Sequence, residues 1–206
     1  MSNSKNQDFY RNLGPDRLDE FAKSGFGDGG IHVDLEQLLK LLQLNKRILE
    51  VGAGTGRIGL ELIRRGFDYT GVEPQEDYLE RFKEKLKTAN IKLEERRLIL
   101  GTFESLPQEE IFDFILFPWT VIVDFSFDEQ RLVLEKAYRH LTKEGTCILD
   151  NPAKNQPYNT HPDHCATPFY HDEWHETLSK IGFRKQRLEI YRTGTGRRRE
   201  LVIIEK

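Results

Sequence analysis

The sequence has few of the features that secreted, membrane-bound or nucleic-acid-binding proteins depend on. Only two of its 206 residues are cysteines, and Cys147 lies in an apolar run, so a disulfide framework is not expected and a reducing cytoplasm fits. No segment has the pattern of a signal peptide or is apolar enough to cross a bilayer. The formal net charge of −3 gives no overall basic field for DNA or RNA. We therefore expect a cytoplasmic protein without a nucleic-acid or membrane partner.

The chain divides into a short N-terminal segment and one larger domain. Residues 1–32 are polar and glycine-rich, which is typical of a lead-in or lid. Within 33–206, short apolar segments alternate with helical patterns as far as Asp150, and this alternation predicts a parallel sheet with helices on both faces. Residues 151–170 contain four prolines and no periodicity, and we interpret them as a loop on the substrate side.

Two apolar segments flank the letters TGTG near the C-terminus and predict an antiparallel hairpin. The region around it is locally basic. We expect Arg197, Arg198 and Arg199 to lie on a solvated part of this hairpin.

The clearest motif is a glycine-rich turn, ILEVGAGTGRIG at residues 48–59. Gly52, Gly54 and Gly56 follow a predicted strand and precede a helix, so no Cβ atom keeps a ligand away from the backbone. Glu73 ends the next predicted strand, where a carboxylate can accept both hydroxyls of an adenosine ribose. Glycines followed by such an acid predict a nucleoside site, although tight packing between strand and helix is an alternative reason for the glycines.

A dinucleotide-binding oxidoreductase is another interpretation of the same turn. Gly54, Gly56 and Gly59 satisfy the pattern G-x-G-x-x-G, which binds a pyrophosphate in NAD(P)-dependent enzymes. Glu50 argues against it, since a carboxylate suits an ammonium or sulfonium group better than a pyrophosphate. The sequence also has no Tyr-x-x-x-Lys pair, the usual base of short-chain reductases.

These segments resemble a known family. ILEVGAGTGRIG and the later GVEP are similar to motifs I and II of the class I S-adenosylmethionine-dependent methyltransferases of the bacterial small-molecule type. FDFILF and EKAYRHLTKEGTCIL resemble that family's fourth strand and the entry to its fifth. The resemblance implies an α/β, Rossmann-like sheet of seven mostly parallel strands with an antiparallel C-terminal hairpin. It also implies S-adenosylmethionine as the cofactor and an in-line methyl transfer to a small-molecule acceptor.

The resemblance assigns roles to the residues of the turn and the next strand. Gly52, Gly54 and Gly56 would pack beneath the cofactor, Glu50 would face its amino-acid end, and Glu73 would bind the ribose.

The adenine end departs from the family pattern. The family usually has an acid where this chain has Thr102, so adenine recognition falls to Glu104, the Thr102 hydroxyl, a backbone group or a mixture of them. Phe103 would lie against the adenine ring. Phe117 would be near the reactive methyl group.

A catalytic base and an acceptor pocket are less clearly marked. His161 and His164 lie in the 151–170 loop and could take a proton from the acceptor, because imidazole titrates near neutral pH; surface polar residues of a loop are the alternative. An aromatic wall around the acceptor is expected from four residues. These are Tyr10, Trp119, Tyr158 and Tyr170.

No metal ion is expected. Asp150 and Asn151 look like the pair that ends the fifth strand in magnesium-dependent O-methyltransferases, but the matching acid after the fourth strand is absent and Asp124 comes several residues later. The letters HDEWH at 171–175 lack the glutamate of a zinc-protease motif. A magnesium-dependent O-methyltransferase and a non-catalytic module that binds the cofactor remain alternatives.

Overall fold

A computed structural model describes residues 4–26, 33–94, 97–154 and 162–206. The helices in these ranges are α1 (Ser4–Leu13), α2 (Pro15–Phe26), α3 (Val33–Leu41), α4 (Arg57–Arg64), α5 (Glu76–Thr88), α6 (Phe127–His140) and α7 (His171–Ile181). The strands are β1 (Arg47–Val51), β2 (Asp68–Glu73), β3 (Leu98–Leu100), β4 (Phe112–Phe117), β5 (Leu141–Pro152), β6 (Lys185–Arg192) and β7 (Arg198–Glu205). None of the helices in the described part of the chain is long and apolar enough to span a membrane.

All seven strands form one sheet in the order β3-β2-β1-β4-β5-β7-β6. The first five strands run parallel, and β7 is antiparallel to both β5 and β6. The predicted seven-stranded fold with a C-terminal hairpin is therefore confirmed. Because the strand order reverses between β1 and β4, a crevice opens at their carboxyl ends, where open α/β sheets bind ligands.

Two hydrophobic clusters cover the two faces of the sheet, as the predicted helices on both sides require. Neighbouring residues of one strand enter different clusters: Leu116 packs with helices α3 to α5, whereas Phe117 packs with α6 and α7. Successive side chains of a strand point to opposite faces. A strand that is apolar at nearly every position is therefore buried on both sides, as β4 is, with Asp113 as its one polar residue.

The N-terminal segment is helical where the structure describes it. Its polar sequence predicted a lead-in or lid, but α1 and α2 form two helices linked at Gly14. Asn6 anchors α1: its side-chain amide donates to the carbonyls of Asp124 (3.0 Å) and Cys165 (2.7 Å). Only three of the ten residues of α1 are apolar and its polar contacts leave no pattern in the sequence, so apolar periodicity did not predict the helix.

Candidate active site

The glycine turn joins β1 to α4, and all three predicted glycines have positive φ. They serve two different purposes. Gly52 and Gly54 line a cavity at the carboxyl edge of the sheet. Gly56 does not: a Cβ there would lie 2.0 Å from Cδ2 of Phe82, so this glycine lets α4 and α5 pack. The packing interpretation thus applies to Gly56, and its expected place beneath the cofactor is not supported.

Glu73 ends β2 beside this turn and is only 5% exposed. One carboxylate oxygen accepts the Gly54 N–H at 2.8 Å and the other accepts the Gln75 N–H at 2.9 Å. Burial raises the pKa of the Glu73 carboxyl to about 7, although these two bonds oppose the shift. Each oxygen keeps acceptor capacity for a hydroxyl, because a carboxylate oxygen has two lone pairs.

Glu50 lies on β1 and is even more deeply buried, at 2% exposure. The Tyr69 hydroxyl donates to it at 2.6 Å. Burial raises the pKa of the Glu50 carboxyl to about 8, and the hydrogen bond and Arg57 only partly offset this effect. A carboxyl group in this state favours a cationic ligand, because a nearby positive charge restores its ionised form.

Arg57, which lines the cavity, forms a buried ion pair that the sequence analysis did not predict. Both carboxylate oxygens of buried Asp34 accept from the Arg57 guanidinium, at 2.8 and 2.5 Å. Arg57 also lies over the Trp119 ring, 5.5 Å from its centroid. Its charge is thus fixed between an acid and an aromatic ring.

The segment after β3 supplies only part of the predicted adenine end. Thr102 and Phe103 line the cavity. Glu104 does not line it: its side chain is exposed and pairs with Lys136 at 3.3 Å. Phe117 also lies outside the cavity lining, fully buried in the core with its ring 5.9 Å from that of Phe103. Of the residues expected at the adenine end, Thr102 and Phe103 therefore line the cavity, whereas Glu104 and Phe117 do not.

Three polar residues, Tyr10, Asp124 and His164, form a cluster on the cavity wall beyond the end of β4. His164 Nε2 lies 2.7 Å from Asp124 Oδ1, and the Tyr10 hydroxyl donates to Asp124 Oδ2 at 3.0 Å. The three residues line the same cavity. Burial raises the pKa of the Asp124 carboxyl, and the bonds from His164 and Tyr10 oppose the shift. Sequence reasoning noted Asp124 only as a poorly placed metal ligand and missed this pairing.

Trp119 follows β4 on a strained turn. Trp119 and Thr120 have φ of +45° and +67°, a region that costs non-glycine residues about 1–3 kcal/mol each. Asp150 stabilises the turn, because its carboxylate accepts the Trp119 N–H at 3.0 Å and its carbonyl accepts the Thr120 N–H at 2.8 Å. Trp119 lines the cavity, as predicted.

Asp150 is engaged by the C-terminal hairpin rather than poised for a metal ion. The Arg199 guanidinium donates to its carboxylate through Nε and Nη2, both at 2.9 Å, and the Tyr191 hydroxyl donates at 2.9 Å. Arg199 is 8% exposed, so the expectation that it is solvated was wrong. The magnesium alternative finds no support, since a guanidinium occupies the carboxylate.

Three predicted residues remain, and only one of them, Tyr170, is described by the structure. Tyr170 precedes α7, with Lys154 Nζ 5.4 Å from its ring centroid, and is not part of the lining. Tyr158 and His161 lie outside the described residues. Of the predicted aromatic wall, Tyr10 and Trp119 are brought together.

The cavity has a volume of about 830 Å³. Helices α1 and α2 line one side of it, contributing Tyr10, Leu18 and Asp19 among others. Several hydrogen bonds hold these helices against the sheet: the Tyr78 hydroxyl donates to the Tyr10 carbonyl at 2.6 Å, and the Thr55 hydroxyl donates to Asp19.

Comparison with known proteins agrees with this architecture. Residues 48–145 match the family described as "Methyltransferase domain". A SAM dependent methyltransferase from Archaeoglobus fulgidus has the same fold at 14% identity, with 92% of this chain and 99% of that chain covered and a TM-score of 0.72. The glycopeptide N-methyltransferase MtfA complexed with (S)-adenosyl-L-methionine is 17% identical over 85% of this chain and 92% of its own, with a TM-score of 0.66.

A third solved structure is a TehB-like SAM-dependent methyltransferase from Corynebacterium glutamicum. It is 18% identical, with 93% of this chain and 95% of that chain covered and a TM-score of 0.64. No curated protein matches the chain significantly in sequence.

Residues 48–145 match a methyltransferase domain, and the sheet with its reversed β7 has the fold of the S-adenosylmethionine-dependent methyltransferases, as the resemblance predicted. The (S)-adenosyl-L-methionine and sinefungin bound in MtfA agree with the expected cofactor, S-adenosylmethionine. The dinucleotide alternative finds no support in this match.

Proposed function

We propose that the chain moves the methyl group of S-adenosylmethionine to a small-molecule acceptor bound beside the cofactor. The observation that carries this proposal is one cavity that brings Glu50 and Glu73 together with the His164–Asp124 pair. Its volume of about 830 Å³ lies in the range of small-molecule sites.

The cofactor would occupy the half of the cavity over β1, β2 and β3. Glu73 would accept the two ribose hydroxyls with the lone pairs that its backbone partners leave. Glu50 would face the ammonium group of the amino-acid end, and the backbone at Gly52 and Gly54 would lie beneath the cofactor. Thr102 and Phe103 would contact the adenine, since β3 is the neighbour of β2.

Methyl transfer breaks the bond between the sulfonium sulfur and the methyl carbon while the acceptor's lone pair forms the new bond. The leaving group is a neutral thioether, so the protein has no leaving anion to stabilise. Orientation and loss of solvent supply most of the acceleration, on the order of 7–11 kcal/mol in favourable model systems. What remains is to remove a proton from the acceptor.

His164 is the proposed general base, and Asp124 and Tyr10 position it. A carboxylate at 2.7 Å from Nε2 favours the tautomer with the proton on Nε2, which leaves Nδ1 to accept the acceptor's proton. Asp124 would then stabilise the imidazolium that forms. The Tyr10 hydroxyl fixes the other carboxylate oxygen.

Helices α1 and α2, which form most of the predicted segment 1–32, are proposed as a lid. The support is that they line the cavity on one side and are attached to the rest of the protein partly through hydrogen bonds. Such contacts exchange readily with water. Opening this lid would admit the cofactor and acceptor.

We also infer a cytoplasmic location. Both cysteines are free, and Cys147 is buried in the core. Free thiols in a small domain are usual in a reducing compartment.

The activity is tested by measuring S-adenosylhomocysteine release from purified protein with S-adenosylmethionine and a panel of amino, hydroxyl and thiol metabolites. We expect release that depends on an acceptor, and a drop in kcat of about 10²–10⁴-fold in His164→Gln with unchanged cofactor affinity. His175→Gln is the matched control, because His175 is exposed and bonded to Gln186. Cofactor binding without release would favour the non-catalytic alternative, and an unimpaired His164→Gln variant would remove His164 as the base.

A further inference from the structure

The β6–β7 turn, residues 193–197, lies at the carboxyl edge of the sheet and reaches the cavity. β7 is antiparallel to β5, so the start of β7 adjoins the end of β5, with Arg199 opposite Pro152. Thr193, Arg197 and Arg198 line the cavity here. Two exposed arginines, which the sequence analysis had placed on a solvated part of the hairpin, thus line the cavity.

Arg197 and Arg198 differ from the other charged residues of the cavity wall. Every other such residue has a side-chain or backbone partner that satisfies it. These residues are Asp19, Glu50, Arg57, Glu73, Asp124, His164 and Arg199. The guanidinium groups of Arg197 and Arg198 make no hydrogen bond or ion pair with any residue that the structure describes.

The backbone of the β6–β7 turn is ordered even though two arginines face each other across the hairpin. Arg198 lies directly opposite Arg192 in the antiparallel register, and like charges in that position repel. The turn is nevertheless ordered: the Thr193 N–H donates to the Arg197 carbonyl at 2.9 Å, and the Thr193 hydroxyl accepts the Arg197 N–H at 3.1 Å. An ordered turn backbone lowers the conformational freedom that its arginine side chains lose when a guanidinium group binds an anion.

The arginines are far from the ribose end of the cavity. Glu73 ends β2, and β7 is four strands away in the sheet. With neighbouring strands about 4.8 Å apart, the two ends are separated by roughly 19 Å. Asp124 follows β4 and His164 follows β5, and these two strands lie between β2 and β7 in the sheet.

We propose that the methyl acceptor carries an anionic group, a carboxylate or a phosphate, which Arg197 and Arg198 bind at the mouth of the cavity. This inference rests on the proposed function, because it assumes that the acceptor lies next to the cofactor. It makes the two arginines specificity-determining residues. Binding the anion there leaves the acceptor's nucleophile on the side of His164 and the cofactor.

The test uses matched aromatic probes on the protein loaded with S-adenosylhomocysteine. Benzoate, phenyl phosphate and the neutral benzamide are titrated by calorimetry into wild type, Arg197→Gln/Arg198→Gln and Arg184→Gln. Arg184 is an exposed arginine near the opposite edge of the sheet, next to the start of β6 and outside the cavity lining, so its variant removes a charge without touching the site.

We expect at least one anion to bind wild type about ten times more tightly than benzamide. The double variant should bring that ratio to within about twofold, and Arg184→Gln should leave it unchanged. Preference for benzoate identifies a carboxylate acceptor, and preference for phenyl phosphate a phosphorylated one. Equal binding of charged and neutral probes, no binding of either anion, or an equal loss in Arg184→Gln would overturn the proposal.

Titration of S-adenosylhomocysteine alone separates this proposal from the proposed function. We expect the double variant to bind it as wild type does. If the double variant loses that affinity, the arginines bind the cofactor's own carboxylate and the acceptor proposal is wrong. If wild type does not bind S-adenosylhomocysteine at all, the proposed function fails, whereas the anion preference can still be measured on the free protein.

Discussion

The carboxyl group of Glu50 illustrates how a single residue can couple protonation to ligand binding. Its folded pKa of about 8 is above the ordinary value of 4.5, so below pH 8 the free protein carries Glu50 mostly protonated. An ammonium group requires the ionised form. Cofactor binding near neutral pH should therefore release a proton from this residue.

We expect the affinity for S-adenosylmethionine to rise about fivefold from pH 7 to 8 and about tenfold from pH 7 to 9, and to level off above pH 9. This range lies above the pKa of Glu73, about 7, so Glu73 contributes less to the slope than Glu50. In Glu50→Gln the affinity should be lower and nearly independent of pH from 7 to 9. Calorimetric titration at several pH values checks this, and an unchanged pH dependence in the variant would contradict it.

The stability of the free protein should change in the opposite direction with pH. Because burial raises the folded pKa of Glu50 above its unfolded value, the folded state binds more protons between pH 4.5 and 8. Stability therefore falls as pH rises through this window. The loss amounts to about 1.4 kcal/mol for each unit of pKa shift, and Glu50→Gln should remove it in denaturant unfolding at pH 9.

At the same scale, substitutions at Gly56 and Gly54 distinguish a glycine needed for helix packing from a glycine that lines the cavity. We expect Gly56→Ala to lower the free energy of unfolding by about 2–4 kcal/mol, because a Cβ would clash with the Phe82 ring at positive φ. Gly54→Ala should lower it by only about 1–2 kcal/mol, since the nearest atom to its Cβ, on Leu18, is 3.4 Å away.

Denaturant unfolding measures both effects, and cofactor titration should show the larger loss of affinity in Gly54→Ala. Adding Phe82→Ala should reduce the penalty of Gly56→Ala, because the two side chains would otherwise compete for the same space. A Gly56→Ala variant no less stable than Gly54→Ala would contradict the packing role.

At the scale of secondary-structure elements, Asp150 joins three parts of the fold. It lies on β5, pairs with Arg199 of β7, and stabilises the turn after β4 through its bonds to Trp119 and Thr120. The hairpin is therefore fixed to the cavity wall by a buried ion pair. The position of Arg197 and Arg198 depends on this junction.

Breaking the junction should be costly. We expect Arg199→Gln to lower the free energy of unfolding by about 3–5 kcal/mol, because it leaves the Asp150 charge buried without its partner. Asp150→Asn/Arg199→Met should recover part of that loss, since it removes both charges. Denaturant unfolding followed by tryptophan fluorescence measures the change. A loss no greater than that of Arg184→Gln would show that the pair contributes nothing.

The helices, strands and turns could be predicted from sequence where a short stretch of residues specifies them. The glycine turn and strand-end Glu73 were located because three alternating glycines and an acid lie at characteristic positions in the sequence. The helices over residues 4–26 were missed, since their apolar residues are few and part of their attachment comes from hydrogen bonds to residues distant in the sequence. Glu104 was placed at the adenine end by its position alone, but Lys136, from α6, draws its side chain away.

For the whole molecule, the sequence by itself determined the fold class and the order of strands and helices from residue 33 onward. Apolar periodicity and turn residues act over a few positions, so they are readable along the chain. Only the tertiary structure decided which residues share the cavity. Asp124 pairs with His164, which is 40 positions away in the sequence, and accepts a hydrogen bond from Tyr10, which is 114 positions away.

The C-terminal arginines show the same division. Their sequence predicted a charged hairpin, which is correct, and a solvated one, which is wrong for Arg199. The antiparallel insertion of β7 places Arg199 against Asp150 and the neighbouring arginines at the cavity mouth. No local pattern encodes this placement, because it arises from pairing between strands that are distant along the chain.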